Sequence, residues 1–256
     1  MGPYQNQRET SHAHLPCEFC SVVSQPTRRS KTVRTGAAHP PLRKLQKNCS
    51  IVLWRSLIAR LHSGSSNTLW TSRGFFTTKQ AKDAGFAENT HPYHVQAGKW
   101  IREHRGIYRL AQFPPADRPD LVLWALWSRN RREEVQGVYS HQTALSLHEL
   151  SDVNPAKLHM TVPVGFRKNS ALPPLVVLHY DDLDDDDIEA AAGYRYTRPL
   201  RTILDAIGSG ELERATITQA VRQAFERGLI TRSQIRSTPM NDTARKLIGG
   251  ALKRVA

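Results

Sequence analysis

The chain has 256 residues, a formal net charge of +13, only three cysteines and a 39% hydrophobic share. That length allows one or two domains of ordinary size plus tails, and nothing in it approaches the roughly 18 consecutive apolar residues of a membrane span or the apolar core of a signal peptide. Three cysteines are too few for a disulfide framework, so a reducing, cytoplasmic setting is expected.

The charge is uneven. Residues 1–70 hold 10 Lys and Arg against 2 Glu, residues 71–114 hold 7 against 3, and residues 115–256 hold 19 against 18. A nearly neutral body beneath a basic N-terminal half points to a polyanion as partner. Residues 1–50 have the composition of a disordered basic leader, rich in Ser, Thr, Pro, Gln and Asn and without apolar periodicity. An upstream start choice explains such a leader equally well. Within it, Cys17-Glu18-Phe19-Cys20 forms a half-site for tetrahedral zinc, with His12, His14 and Cys49 as conceivable partners. The spacings match no standard finger, so no metal is expected.

Ile51 to His62 has apolar residues at helical spacing and is then broken by Ser63-Gly64-Ser65-Ser66-Asn67. From Gly74 to Phe113 the chain reads as two short helices followed by a two-stranded ribbon. Thr77 can cap a helix from Thr78 to Ala84, with Gly85 at its C-terminal side. A second helix fits Asn89 to Ala97, closed by Gly98, with Pro92 in its first turn, where a missing N–H costs little. Trp100 to Glu103 and Ile107 to Leu110 alternate as strands around His104-Arg105-Gly106, with Gly where a positive φ is needed. This is the plan of a winged helix-turn-helix over residues 51–113, with a first helix supplied from before Gly74.

In that fold the second helix enters the major groove, so Asn89, Thr90, His91, Tyr93 and His94 are expected at its exposed N-terminal part, within reach of bases. Arg102, His104, Arg105 and Arg109 belong to the wing, and Lys79 and Lys82 on the first helix are set to meet phosphates. The apolar residues Phe75, Phe76, Ala81, Ala84, Phe86, Val95, Ile101, Ile107 and Leu110 are expected to form the core. The expected partner is double-stranded DNA, bound tightly only by two copies on an inverted repeat.

Phe113 to Asp117 reads as a stiff linker. Beyond it, Asp120 is expected to cap a helix reaching about Arg131. A strand at Val138-Tyr139 precedes a helix capped by Ser140. Strands follow over 157–162, 175–180 and 194–197. Pro199 then opens a helix, residues 215–227 form another, and Thr231 starts a third. The whole is therefore α+β: a winged helix-turn-helix followed by an α+β domain over residues 117–256 with a small mixed sheet.

No catalytic site emerges. Ser140-His141 lacks a third group, neighbours in sequence rarely point at one another, and Ser140 is better explained as a cap. His148-Glu149 lacks the second His of a zinc protease motif. The acidic run Asp181 to Asp187 has no Gly for a calcium loop and suits a solvated turn before a short helix. No Gly-rich phosphate loop is present and no cofactor is expected. The competing enzyme reading is a metal-dependent nuclease using Asp181, Asp182 or His159.

Gly74-Phe75-Phe76-Thr77-Thr78-Lys79-Gln80-Ala81, with Gly85 and Arg105-Gly106-Ile107-Tyr108-Arg109-Leu110, resembles the N-terminal domain of AbiEi-type antitoxins. These belong to bacterial abortive-infection, type IV toxin–antitoxin systems. Ser140 to Asp152 (SHQTALSLHELSD), His159 to Pro163 (HMTVP) and Thr197 to Asp205 (TRPLRTILD) resemble further blocks of that family in the same order. The likeness covers about residues 74–236, and Pro92 stands where such sequences more often carry a helix former. It implies a repressor of its own operon that counters a nucleotidyltransferase-like toxin without needing a stable complex. A solitary regulator without a toxin is the other reading that keeps DNA binding.

Overall fold

The threonine at position 77 ends one element and starts the next. The computed structural model describes residues 73–114 and 117–253. The expectations for the leader, the Cys17/Cys20 zinc half-site and a helix over 51–62 lie outside the described residues, as do residues 115 and 116 of the linker. Strand β1 (Phe75–Thr77) runs into helix α1 (Thr78–Asp83), whose start is a capping box. The Gln80 amide donates to Thr77 Oγ1 at 3.2 Å and the Thr77 amide to Gln80 Oε1 at 2.8 Å, satisfying two orphan donors reciprocally.

A 3-10 turn over Glu88–Thr90 precedes α2 (His91–Gln96). Asn89 therefore sits in the turn before the helix. Pro92 falls in the first turn of α2, as its missing N–H requires. Strands β2 (Trp100–His104) and β3 (Ile107–Leu110) form an antiparallel hairpin, and β1 joins β3 to complete a three-stranded sheet ordered β1-β3-β2. Gly106 turns the hairpin at φ 72°, a conformation that costs glycine nothing.

The body begins with α3 (Pro119–Trp127). Arg118, not the expected Asp120, occupies the cap position. Asp120 lies in the first turn, where its charge favours the helix dipole, and accepts from Arg118. The helix ends earlier than Arg131 because Asn130 Oδ1 accepts from the amides of Arg132 and Glu134, closing a turn. Then come β4 (Val138–Tyr139), α4 (His141–Leu147), β5 (Leu158–Val162), β6 (Val176–Tyr180), β7 (Ile188–Ala191) and β8 (Tyr194–Thr197). Four helices close the described chain: α5 (Pro199–Ser209), α6 (Arg214–Glu226), α7 (Arg232–Ser237) and α8 (Asp242–Leu252).

The larger sheet has the order β6-β5-β4-β8-β7. Its β5–β6 and β4–β8 pairs are parallel, whereas β4–β5 and β7–β8 are antiparallel, so the expected mixed sheet and α+β class are present. Gly193, at φ 101°, makes the β7–β8 turn, and a Cβ there would meet Val122 at 2.8 Å.

Three apolar clusters hold the described residues together. One packs Phe76, Ala81 and Trp100 under α1 and α2. A second joins Phe75 and Ile107 of the small sheet to Leu121, Ala125 and Trp127 of α3 and to Tyr139 and Met160 of the large sheet. The third lies among α4, α5, α6 and α8, around Ile203, Val221 and Ile248. The small sheet and the body therefore share a core. Polar contacts tighten that junction: Thr77 Oγ1 donates to Glu133 at 2.7 Å, and Arg129 donates to the Gly106 carbonyl at 3.3 Å.

Candidate nucleic-acid interface

The head formed by residues 73–114 presents its cations on three elements. Lys79 and Lys82 are exposed on α1, and their i, i+3 spacing puts them on one side of the helix. Lys82 lies 3.5 Å from Glu88. Arg102 is exposed on β2 and Arg105 at the hairpin turn. The Thr78 amide donates to the Gly106 carbonyl at 3.1 Å, so the turn carrying Arg105 lies against the start of the helix carrying Lys79. Asn89 is exposed before α2, and Tyr93 on α2 is 63% exposed, the most exposed large apolar side chain among the described residues of the head. Lys99 is also exposed, between the end of α2 and β2. It was missed in the sequence because it precedes the strand signal, although its position just after Gly98 marks it as a loop residue.

The other expected contacts are placed differently. His91 is 1% exposed, with Nε2 at 3.2 Å from the Phe86 carbonyl and its ring edge-on to Trp100 and Tyr108. His94 stacks on Trp100 with ring centroids 4.6 Å apart and meets Phe86 edge-on. Burial, then the nearby Lys99 and His91, hold its pKa below the ordinary value, which favours the neutral ring. His91 is a core residue of the head, and His94 is half-buried against the same aromatic cluster. Helical phase is the reason: the apolar face of α2 turns both imidazoles onto Trp100.

His104 packs edge-on to Trp124 of α3, and so faces the body. Arg109 Nε donates to Glu103 at 2.6 Å and its guanidinium lies 6.0 Å from the Phe75 ring centroid, so it braces the small sheet. The Thr90 hydroxyl donates to the Ala87 carbonyl at 2.6 Å and shapes the turn before α2. What remains at the surface is a set of lysines and arginines with one amide and one tyrosine. Lys79, Lys99, Arg102 and Arg105 make no ion pair among the described residues. Such a set can neutralise phosphates and offer Asn89 to a base edge.

The body carries a second polar assembly. Ser140 and His141 do point at one another, against expectation: Oγ lies 2.8 Å from Nδ1. His141 adopts φ 51°, which folds its ring back over the strand end. Ser140 occupies the cap position of α4 but makes no capping bond. Thr161 Oγ1 donates to Ser140 Oγ at 2.7 Å, so the serine hydroxyl is held between Thr161 and His141 Nδ1. His141 stacks on His179 with centroids 3.6 Å apart, and His159 Nδ1 lies 3.0 Å from His179 Nε2.

Burial, followed by the neighbouring His179 and His159, pushes His141 down to about 3. Ser140 beside it is fully buried. Asp181 binds Arg201, Asp182 Oδ1 accepts from the Val164 amide at 3.1 Å, and His148 bonds the Thr197 carbonyl at 2.8 Å. Among the described residues no group of three or more His, Cys, Asp or Glu is placed to hold a metal ion. No described helix is long and apolar enough to cross a membrane.

Comparison with protein-family models and with curated proteins finds no match. Among solved structures, the chain is similar to the crystal structure of the RV2827C protein from Mycobacterium tuberculosis, at 10% identity and a TM-score of 0.49, over 77% of this chain and 76% of that one.

Proposed function

We propose that this protein is a DNA-binding transcriptional regulator and the antitoxin of a type IV toxin–antitoxin system. Residues 73–114 are, on this reading, the described part of a winged helix-turn-helix domain. The observation that carries the DNA-binding half is the cluster of exposed cations on α1, on β2 and at the hairpin turn, beside Asn89 and Tyr93. The antitoxin half rests on the order of sequence blocks that resemble the AbiEi family. It places the protein in the cytoplasm, repressing its own operon and countering a nucleotidyltransferase-like toxin. The engagement of Asp181 by Arg201 and of Asp182 by the Val164 amide favours the regulator over a nuclease.

Gel-shift and anisotropy titrations on the DNA upstream of the gene test the DNA-binding half. Arg105→Ala should weaken binding and flatten its salt dependence by a slope of about 0.9 for the lost phosphate contact. An unchanged slope would remove the hairpin turn from the interface. Asn89→Ala should cost about 1–3 kcal/mol on the specific site and far less on random DNA if Asn89 reads a base. Equal losses on both would assign it to the backbone. Co-expression with the neighbouring gene product tests the antitoxin half: rescue of growth is expected, and no rescue would leave a solitary regulator.

A further inference from the structure

The two ends of the large sheet are finished differently. In the order β6-β5-β4-β8-β7, strand β7 lies at one end and β6 at the other. An open edge attracts further strands unless charge or a covering group blocks it. β7 has both: Glu189 is exposed on it, and the Arg198 side chain donates to the Ile188 carbonyl at 3.2 Å. β6 reads Val176-Val177-Leu178-His179-Tyr180 and carries no Lys, Arg, Asp or Glu.

The register with β5 decides which backbone groups of β6 are spent. The Leu158 amide donates to the Leu175 carbonyl at 2.7 Å, and the Asp181 amide to the Val162 carbonyl at 3.0 Å. The pair is parallel and unbroken from Leu158↔Val176 to Val162↔Tyr180, so residues 175, 177, 179 and 181 bond to β5. The amides and carbonyls of Val176, Leu178 and Tyr180 therefore point away from the sheet. The Val176 amide turns back to the Pro173 carbonyl at 3.0 Å. Its carbonyl, and both groups of Leu178 and Tyr180, have no backbone partner among the described residues. The surroundings are apolar as well. Five large apolar side chains are strongly exposed among the described residues. Four of them, Val164, Leu172, Leu175 and Tyr180, at 51–56%, belong to β6 or to the connection that leads into it from β5.

This edge is complementary to itself. Laid antiparallel about Leu178, two copies set Leu178 opposite Leu178 and Tyr180 opposite Val176. Each Leu178 amide then donates to the other Leu178 carbonyl, and each Tyr180 amide to the free Val176 carbonyl across from it. The Val176 amide, the one outward donor already spent, is not needed. Asp181 falls opposite Leu175, so no like charges face each other, and the exposed Tyr180 ring gains Val176 as a cross-strand neighbour. We propose that two copies of this chain join through β6, antiparallel about a two-fold axis, into one continuous sheet. A foreign strand could use the same donors, but a second copy supplies the matching free groups in register and covers both apolar rims at once. With β7 guarded, such a pairing closes at two copies.

Sedimentation velocity of the full chain, without DNA, should show a reversible monomer–dimer equilibrium and no larger species. Tyr180→Pro removes an outward amide while leaving the bonds to β5 in place, and should weaken the dimer about tenfold or more. Tyr180→Phe, which keeps the amide and the ring, should stay within about twofold of the parent chain. Melting curves check that Tyr180→Pro folds. If it does not, Tyr180→Lys carries the test, because it puts on the edge the charge that guards natural ones. Disulfide trapping reads the register in a chain carrying Cys17→Ser, Cys20→Ser and Cys49→Ser. Leu178→Cys sets the paired Cα atoms about 5.5 Å apart and should cross-link, whereas the two copies of Tyr180→Cys lie about 14 Å apart and should not. A monomer at every concentration, a dimer indifferent to Tyr180→Pro and Tyr180→Lys, or a failure of Leu178→Cys to trap more than Tyr180→Cys would overturn the proposal. None of these measurements contains DNA, so their failure leaves the DNA-binding reading standing.

Discussion

Replacing Glu133 with alanine is expected to destabilise the protein by about 3 kcal/mol, far more than loss of a surface ion pair would. Glu133 and Arg129 pair at 3.2 Å with side chains only 18% and 16% exposed. The carboxylate also accepts the Thr77 hydroxyl, which simultaneously caps α1, and Arg129 donates to the carbonyls of Leu126 and Gly106. One ion pair of the body thus holds the cap of α1 and the hairpin turn at once. Removing the acid leaves a largely buried guanidinium unpaired and a buried hydroxyl without its acceptor. Breaking a buried pair in this way costs about 3–5 kcal/mol, and the residual exposure places this one at the lower end.

The same bonds set the spacing between Lys79 and Arg105, the two cations nearest the cap and the turn. If the head binds DNA as proposed, Glu133→Ala should therefore also weaken that binding, although Glu133 itself contributes no positive charge. Glu133→Gln separates the effects: the amide oxygen can still accept from Thr77, so more stability is retained while the charge on Arg129 goes unanswered. Urea denaturation followed by tryptophan fluorescence gives the stability change. Equal stability of Glu133→Ala and the parent chain would show that the pair does not brace the head.

How far the sequence reveals this arrangement depends on the range of the forces involved. Thr77 with Gln80 three residues on, Gly98 after α2 and Gly106 in the hairpin are local signals, and each appears where the chain turns. Strand β1 was not visible in advance, because Phe75-Phe76-Thr77 has no alternation and becomes a strand only by pairing with β3. The orientation of α2 was equally hidden. His91 and His94 look like surface residues until Trp100 and Tyr108, on the hairpin that follows the helix, fold back to supply the rings they pack against. Ser140 illustrates the same limit: its position as a cap is local, but Thr161, brought alongside by β5, decides what its hydroxyl does. Arg201 gathers Asp181, Asp187 and Asp205 from three stretches, and no spacing rule announces such a convergence.

Acidification should unfold this protein early, beginning below about pH 6.5. His94, His141, His148, His159 and His179 are all held below their ordinary value of 6.5, each chiefly by burial. A histidine kept neutral in the fold takes up its proton on unfolding, so its contribution is complete above 6.5 and is lost as the pH falls. For His141, pushed down to about 3, that loss runs at up to about 1.4 kcal/mol per pH unit through most of the range below 6.5. Asp205 works in the opposite sense. Its carboxyl, raised from 3.8 to about 6, is protonated first in the fold and offsets roughly one histidine between those values. The remaining histidines leave a net loss, because charging any of His141, His159 and His179 places a cation within a stack whose rings lie as close as 3.6 Å. Urea midpoints measured at about pH 7, 6 and 5 should fall steadily. His141→Asn, which tolerates the positive φ and keeps a polar atom for Ser140, should show a shallower fall by up to one proton. Midpoints that stay level down to about pH 5 would mean that the histidines are already charged in the fold, and would remove the neutral stack from the account of what holds the body together.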